Sequence, residues 1–455
     1  MSASSEAQEA AAKRMFNRRL YVIGAMRLID SMDVNMIMPY GLEMVSMFLN
    51  KAKDSPESAT AYAWLVGLYS LFEIVLSPFW GMAADVVGRR PILLIGMAGT
   101  AIAPVLLGVG QSLTAVLLFR GLDGFFCGNQ AILRTYLGEI ANKTNESRAF
   151  GFLVLCFVLG LIAGPFLGGL AFPAQWAPEV FAGTVFEHYP VLFPNLLFGI
   201  LTAIVCIIGF VCLEETLPEG KRSMCGQKHE AAGDAELADT PCTADGKRCY
   251  PLHVLQAILA FCGVTGAVEA QNTLVILLWQ YPVSSGGFGF SPQQVSIVQI
   301  SGGLGPILCH LTFFQKLAKK LGLLNILVLG FVLNSLSYGL YPVYALVADP
   351  VKHGLWRFVV LGLAEFVGMI GTFLLFSSVF VFVNRASEGL NRATVNGWAN
   401  SGRALSRAIA PFFASQLLEA AEVVGPFGRY LSFYIMTASL GLCFAISWTG
   451  LRKLT

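Results

Sequence analysis

The chain has 455 residues, of which 55% are hydrophobic and 13% charged, and a formal net charge of +2. With Gly counted and Tyr left out, the apolar share is roughly 62%, against ~45–50% in ordinary soluble domains, which carry about twice the charge. These values exclude a disordered or collagen-like chain, argue against a soluble enzyme and do not suggest a nucleic-acid binder, and they predict an integral membrane protein.

Residues 1–18 read as a polar, Ala-rich tail with Lys13, Arg14 and Arg18, followed by Arg19. No small-residue cleavage site follows a short apolar stretch, so the first apolar segment is expected to remain as a span. A spanning helix needs ~20 mostly apolar residues. Such runs fall near 19–42, 62–83, 92–110, 114–137, 149–171 and 191–213, and again near 251–279, 292–315, 322–346, 355–383, 393–419 and 428–451. The expected organisation is therefore all-α, with two six-helix bundles (19–213 and 251–451), a polar linker (214–250) and a short tail (452–455). With both termini on the cytoplasmic side, twenty of the 30 Lys and Arg face the cytoplasm and five face the other side, which sets the orientation. An internal echo supports the division into halves. Gly151 precedes Pro165 and Gly397 precedes Pro411 by the same interval at equivalent places in spans five and eleven. The sequons at Asn142 and Asn145 then fall in a cytoplasmic loop and are expected to carry no glycan.

Seven cysteines lie in apolar runs and read as small hydrophobes. Cys225, Cys242 and Cys249 share the linker with His229 at an irregular spacing, which reads as a solvated loop rather than a zinc site. No metal and no cofactor are expected. Neither an ATP-binding loop nor a Ser/His/Asp arrangement is present, so neither ATP-driven transport nor an enzyme is expected.

Between spans two and three stands Gly81-Met82-Ala83-Ala84-Asp85-Val86-Val87-Gly88-Arg89-Arg90-Pro91. The glycines permit a tight turn and close helix approach, Asp85 can cap or pair with a facing helix end, and the arginines hold the loop at the membrane surface. Span four carries Arg120, Asp123, Gln130 and Arg134, and span five carries Gly160, Gly164, Pro165, Gly168 and Gly169. Small residues at these intervals let a neighbouring helix pack closely, and Pro165 bends the span. The loop after span two resembles the cytoplasmic-loop motif of the major facilitator superfamily, and the glycine pattern of span five resembles its antiporter signature. Arg27-Leu28-Ile29-Asp30 with Pro39-Tyr40, Phe72-Glu73 with Phe79-Trp80-Gly81, the stretch from Leu170 to Leu196, Gly287–Ser291 and Asn396–Pro411 are similar to the zinc-induced-facilitator-like branch and its fungal relatives. Asp30 stands where that branch has Glu, and Ser31 where it has Pro.

The resemblance implies a twelve-helix secondary transporter in which spans one, four, seven and ten line a central cavity. Ionised groups at mid-bilayer are expensive and normally face a cavity or a partner. Arg27, Asp30 and Asp33 in span one, Glu73 in span two, Arg120, Asp123 and Arg134 in span four, Glu269 in span seven, His310 in span eight and Glu365 in span ten are candidates, as are Arg403 and Arg407 in span eleven. Asp30, Asp33, Glu269 and Glu365 are expected to couple protons, with Asp30 as principal carrier. Arg27, Glu73, Arg120, Asp123, Gln130, Arg134, Asn272 and His310 are expected around the substrate. Gly81, Asp85, Gly88, Arg89 and Arg90 are expected to gate the cytoplasmic side. The expected function is proton-coupled antiport of a small organic or metal-chelating solute, out of the cell or into a vacuole-like organelle, by a monomer in the bilayer. Alternatives are a proton-coupled importer on the same fold and a non-transporting receptor of transporter shape.

Overall fold

A computed structural model describes residues 3–141, 146–217, 251–309, 317, 320–347, 354–386, 392–422 and 428–453. Among the described residues the regular structure is helical, with no β-strand. The first half comprises α1 (Ala3–Met36), α2 (Gly41–Leu49), α3 (Pro56–Val87), α4 (Arg89–Gly108), α5 (Leu113–Phe125), α6 (Asn129–Ile140), α7 (Glu146–Gly168), the single turns α8 (Pro173–Trp176), α9 (Pro178–Phe181) and α10 (Val185–His188), and α11 (Leu192–Cys212). The second half comprises α12 (Leu252–Gln280), α13 (Pro292–Leu308), α14 (Leu323–Gly339), α15 (Tyr341–Val347), α16 (Trp356–Ala386), α17 (Arg392–Glu422) and α18 (Gly428–Lys453).

Among the described residues, each of the twelve expected spans overlaps a helix or a pair of helices. Among the described residues seven helices are long and apolar enough to cross a membrane. α1 is not among them because Arg27, Asp30 and Asp33 interrupt its apolar stretch, and α17 carries Arg403 and Arg407 in the same way.

Local chemistry explains where the helices differ from the expected spans. Span one was expected to reach residue 42, but α1 stops at Met36, ahead of a turn containing Pro39, whose missing N–H cannot continue the ladder. Span four is broken into α5 and α6 at Phe126–Gly128. There the indole of Trp80 takes up the freed Phe125 carbonyl at 2.6 Å and packs against Gly128, where a Cβ would lie 2.5 Å from its own. Span nine divides into α14 and α15 ahead of Pro342. The far part of span eight, with His310, lies outside the described residues, as do both sequons and linker residues 218–250.

The chain forms two compact units: Met1–Met44 with Phe72–Cys225, and Val45–Leu71 with Gly226–Thr455. In the first, α7 packs along α1, and α4 packs against α11 and α5. In the second, Phe261, Val264 and Val268 of α12 close on Leu375, Val379 and Phe382 of α16 and on Val395 and Ala399 of α17. The beginning of α3 belongs to this unit. The ring of Trp64 meets Phe412 edge-on at 4.7 Å, and a Cβ on Gly67 would come within 2.7 Å of the Ala408 carbonyl oxygen.

Candidate functional site

In the first unit the glycines of α7 set the position of α1. A Cβ on Gly160 would strike the Leu28 carbonyl at 2.8 Å, one on Gly164 the Met32 carbonyl at 2.6 Å, and one on Gly168 the Met36 carbonyl. The backbones therefore approach closely along one line, with Ser31 Oγ donating to the Phe157 carbonyl at 2.8 Å. This is what the span-five glycines do here: they seat the helix that carries Arg27, Asp30 and Asp33.

The i,i+3 spacing puts those three charges on one face of α1. All three are buried, with Arg27 and Asp30 each 7% exposed. The Arg27 guanidinium sits 4.6 Å from the centroid of the Phe157 ring, and Asp30 lies in the electrostatic field of Arg27 and of Glu73. One turn further on, Asp33 meets α5. Arg120 Nη1 donates to Asp123 Oδ2 at 2.5 Å and stands 3.9 Å from Asp33 Oδ1. The carboxyls of Asp33 and Asp123 are within hydrogen-bonding reach of each other. Asp33, Arg120 and Asp123 are 2%, 3% and 1% exposed, and among the described residues no N–H or hydroxyl donor reaches Oδ1 of either acid. Tyr40 borders the group, its hydroxyl donating to Asn195 Oδ1 at 3.3 Å.

The structure thus brings Asp33, Arg120 and Asp123 together as a triad and sets Arg27, Asp30 and Glu73 beside it as a second cluster. The break at Phe126–Gly128 puts Gln130 and Arg134 on α6, half-buried.

In the second unit Glu269 on α12 pairs with Arg407 on α17, Nε to Oε1 3.3 Å, next to Tyr62. Glu365 on α16 is separate. It is buried against Gly302, where a Cβ would lie 2.5 Å from its Cγ, and faces Tyr338 and Tyr341. Among the described residues no donor reaches its Oε2. Asn272 accepts from the Tyr338 hydroxyl at 3.4 Å and so belongs to this second group.

The loop between α3 and α4 forms a third cluster. Arg89 bonds Asp85 (2.9 Å), Glu139 (3.0 Å) and the Ala84 carbonyl (2.8 Å). Arg90 reaches the Phe210 carbonyl at 2.6 Å. Gly88 has φ 120°, a left-handed value that favours glycine, and a Cβ there would run into the Glu215 carboxylate. That carboxylate accepts from the amides of Arg89 (2.9 Å), Arg90 (3.1 Å), Thr216 (2.9 Å) and Leu217 (2.9 Å), satisfying donors at the start of α4. Thr216 donates to Glu139, and Arg19 pairs with Glu214. Gly81, expected to allow close helix approach, has no neighbour near enough to meet a Cβ. The sequence reading assigned no role to Glu139, Glu214 or Glu215. The one available signal was the Glu214-Glu215 pair ending the sixth apolar run.

A family model described as the Major Facilitator Superfamily matches residues 25–411. The chain belongs to the major facilitator superfamily, whose members are membrane transporters. It is 35% identical over 206 residues to the "Major facilitator superfamily multidrug transporter mfsB" of Aspergillus fumigatus, a match covering 44% of this chain and 34% of that protein. The chain thus spans about a third of that relative's length. "Protein ZINC INDUCED FACILITATOR-LIKE 1" of Arabidopsis thaliana is 26% identical over 417 residues, covering 89% of this chain and 84% of that protein. Among solved structures, a bacterial homolog of the human lysosomal transporter Spinster superposes with a TM-score of 0.63 at 13% identity, over 95% of this chain and 96% of that one. The human organic anion transporter MFSD10 (TETRAN) gives 0.56 at 19% identity, over 95% and 99%. These two likenesses concern the fold alone.

Proposed function

We propose that this multi-pass membrane transporter is a proton-coupled antiporter that exports, or sequesters in an organelle, a small organic or metal-chelating solute by alternating access. The observation that carries the reading is the buried triad of Asp33, Arg120 and Asp123. One guanidinium neutralises one carboxylate. The second carboxyl must be balanced by a proton or by a cationic group, because an uncompensated buried charge costs several kcal/mol. Proton and solute then compete for one place, which is the requirement for exchange. Asp30 with Arg27 and Glu73 forms the neighbouring relay, and Glu269 with Arg407 and Glu365 beside Tyr338 and Tyr341 are the acids of the second unit. The names of the relatives, a multidrug transporter and a zinc-induced-facilitator-like protein, agree with such a solute.

The orientation in this reading follows from the charge distribution, and the remaining parts from the resemblance to the superfamily. Both termini face the cytoplasm, residues 19–213 and 251–451 act as the two bundles, and the loop around Asp85 and Arg89 gates the cytoplasmic side. The membrane is the plasma membrane or that of a vacuole-like organelle, and the monomer is the working unit. The test is uptake into proteoliposomes from a panel of cationic, zwitterionic and chelating solutes, with and without an imposed pH gradient. Accumulation of one class only with the gradient supports the reading. Uptake that ignores the gradient for every transported solute overturns it.

A further inference from the structure

The connection from α7 to α11 is too ordered to be a plain loop. It is closed at its base, where the Phe172 amide donates to the Pro190 carbonyl at 2.7 Å. Between these residues α8, α9 and α10 gather three aromatic rings against a fourth on α11. Phe181 lies 5.7 Å from Trp176 and 5.7 Å from Phe186, and both phenylalanines meet Phe193 of α11, at 5.2 and 5.3 Å. Gly183, with φ 74°, turns the chain, and its amide donates to Glu187 at 2.6 Å. Although the knot is held by apolar rings, it leaves apolar surface uncovered: Val180 is 68% exposed, Val185 61% and Trp176 42%. Glu179, Glu187 and His188 are exposed beside them, and His188 is hydrogen-bonded to Gln111 at 2.7 Å.

The position of Phe193 says what covers this surface. Counting along α11 by helical repeats, Phe193 shares a face with Ile200, Ile204, Ile207 and Val211, all four of which are exposed. Every exposed residue of this helix is apolar, which marks a lipid-facing stripe. From Phe193 to Val211 the helix rises about 27 Å, close to the ~30 Å hydrocarbon thickness of a bilayer. The Val211 end is marked by Arg90, whose guanidinium lies 5.3 Å from the Phe210 ring centroid and bonds the Phe210 carbonyl, as a cation at a membrane boundary does. The other boundary therefore falls at Phe193, where the aromatic knot is attached.

We infer that residues 172–190 form a membrane-interface anchor, docking Trp176, Val180 and Val185 into the headgroup–acyl boundary of the leaflet opposite Arg90. The partner is the lipid surface. Trp176 supplies the amphipathic ring favoured at that depth, the three phenylalanines hold it there, and Glu179 and His188 remain in the polar zone.

The test uses the full chain in phosphatidylcholine proteoliposomes. Val180→Cys and Val185→Cys, introduced after replacement of the ten native cysteines, are labelled with an environment-sensitive fluorophore, with Lys51→Cys as the exposed control. Quenching by 5-doxyl lipid at least about twofold stronger than at Lys51→Cys, with matching protection from iodide, is expected of an interfacial depth. Full iodide quenching at both positions overturns the inference, as does protection from both quenchers, which would mean cover by protein. If the cysteine-free chain does not fold, Trp176→Phe in the native chain decides. It must lower the share of tryptophan emission quenched by lipid brominated near the headgroup, and an unchanged share overturns the inference.

Discussion

Asp33 and Asp123 divide one guanidinium between them, so their substitutions are expected to act differently from a simple loss of charge. Asp123→Asn leaves one carboxyl for Arg120; the pH dependence of transport should flatten, measured as initial rates over a pH series without a gradient. Asp33→Asn should abolish gradient-driven accumulation while leaving substrate exchange measurable, since exchange needs no net proton movement. Full accumulation in both variants would remove the triad from the coupling. In the second unit, Arg407→Gln strands Glu269, at an expected cost of about 1–3 kcal/mol because the pair is only partly buried. A fall in thermal midpoint that Glu269→Gln partly restores would confirm the pairing. The α1 charges and Arg120 with Asp123 were legible from sequence because their spacing put them on common helix faces. The Glu269–Arg407 pair was not, because no local pattern links residues so distant in the chain. Glu215 was not legible either, because it binds main-chain amides, which leave no side-chain signature.

Close packing of α7 on α1 rests on absent side chains. A valine at Gly164 would press on the Met32 carbonyl, where even a Cβ would come within 2.6 Å. Overpacking of this kind typically costs about 1–3 kcal/mol, and displacing α1 would also move Asp30 and Asp33. Gly164→Val is therefore expected to lose most transport even where the protein still inserts, read by comparing uptake with the amount of folded protein on gel filtration. Most helices were legible from hydropathy alone, because each needs one long apolar run. The exceptions share a cause. Pro39, the Phe126–Gly128 break and Pro342 interrupt the backbone hydrogen-bond ladder without interrupting the apolar run, so composition carried straight across them.

For the whole chain, the long apolar helices and the family assignment converge on a multi-pass transporter. The proposed orientation makes a direct prediction: Asn142 and Asn145 acquire no glycan in native membranes, and both termini are reached by protease only after the cytoplasmic face is exposed. Glycosidase shift assays and terminal epitope tags check the two statements independently. Residues 45–71 lie in the first half by sequence yet belong to the second compact unit, a grouping that no hydropathy profile encodes. It arises from Trp64 and Gly67 meeting α17, contacts made between positions far apart in the chain.

The seat of α4 has a consequence for how this protein tolerates change. Glu215 grips four peptide amides, and every residue except proline supplies an identical amide. Side-chain identity at Arg90, Thr216 and Leu217 is therefore irrelevant to that grip, whereas Gly88 and Glu215 have no equivalents. In a saturation library scored by transport-dependent growth, those two positions should accept almost nothing. Their immediate neighbours should drift freely wherever their side chains have no second task, with proline as the one substitution rejected by all.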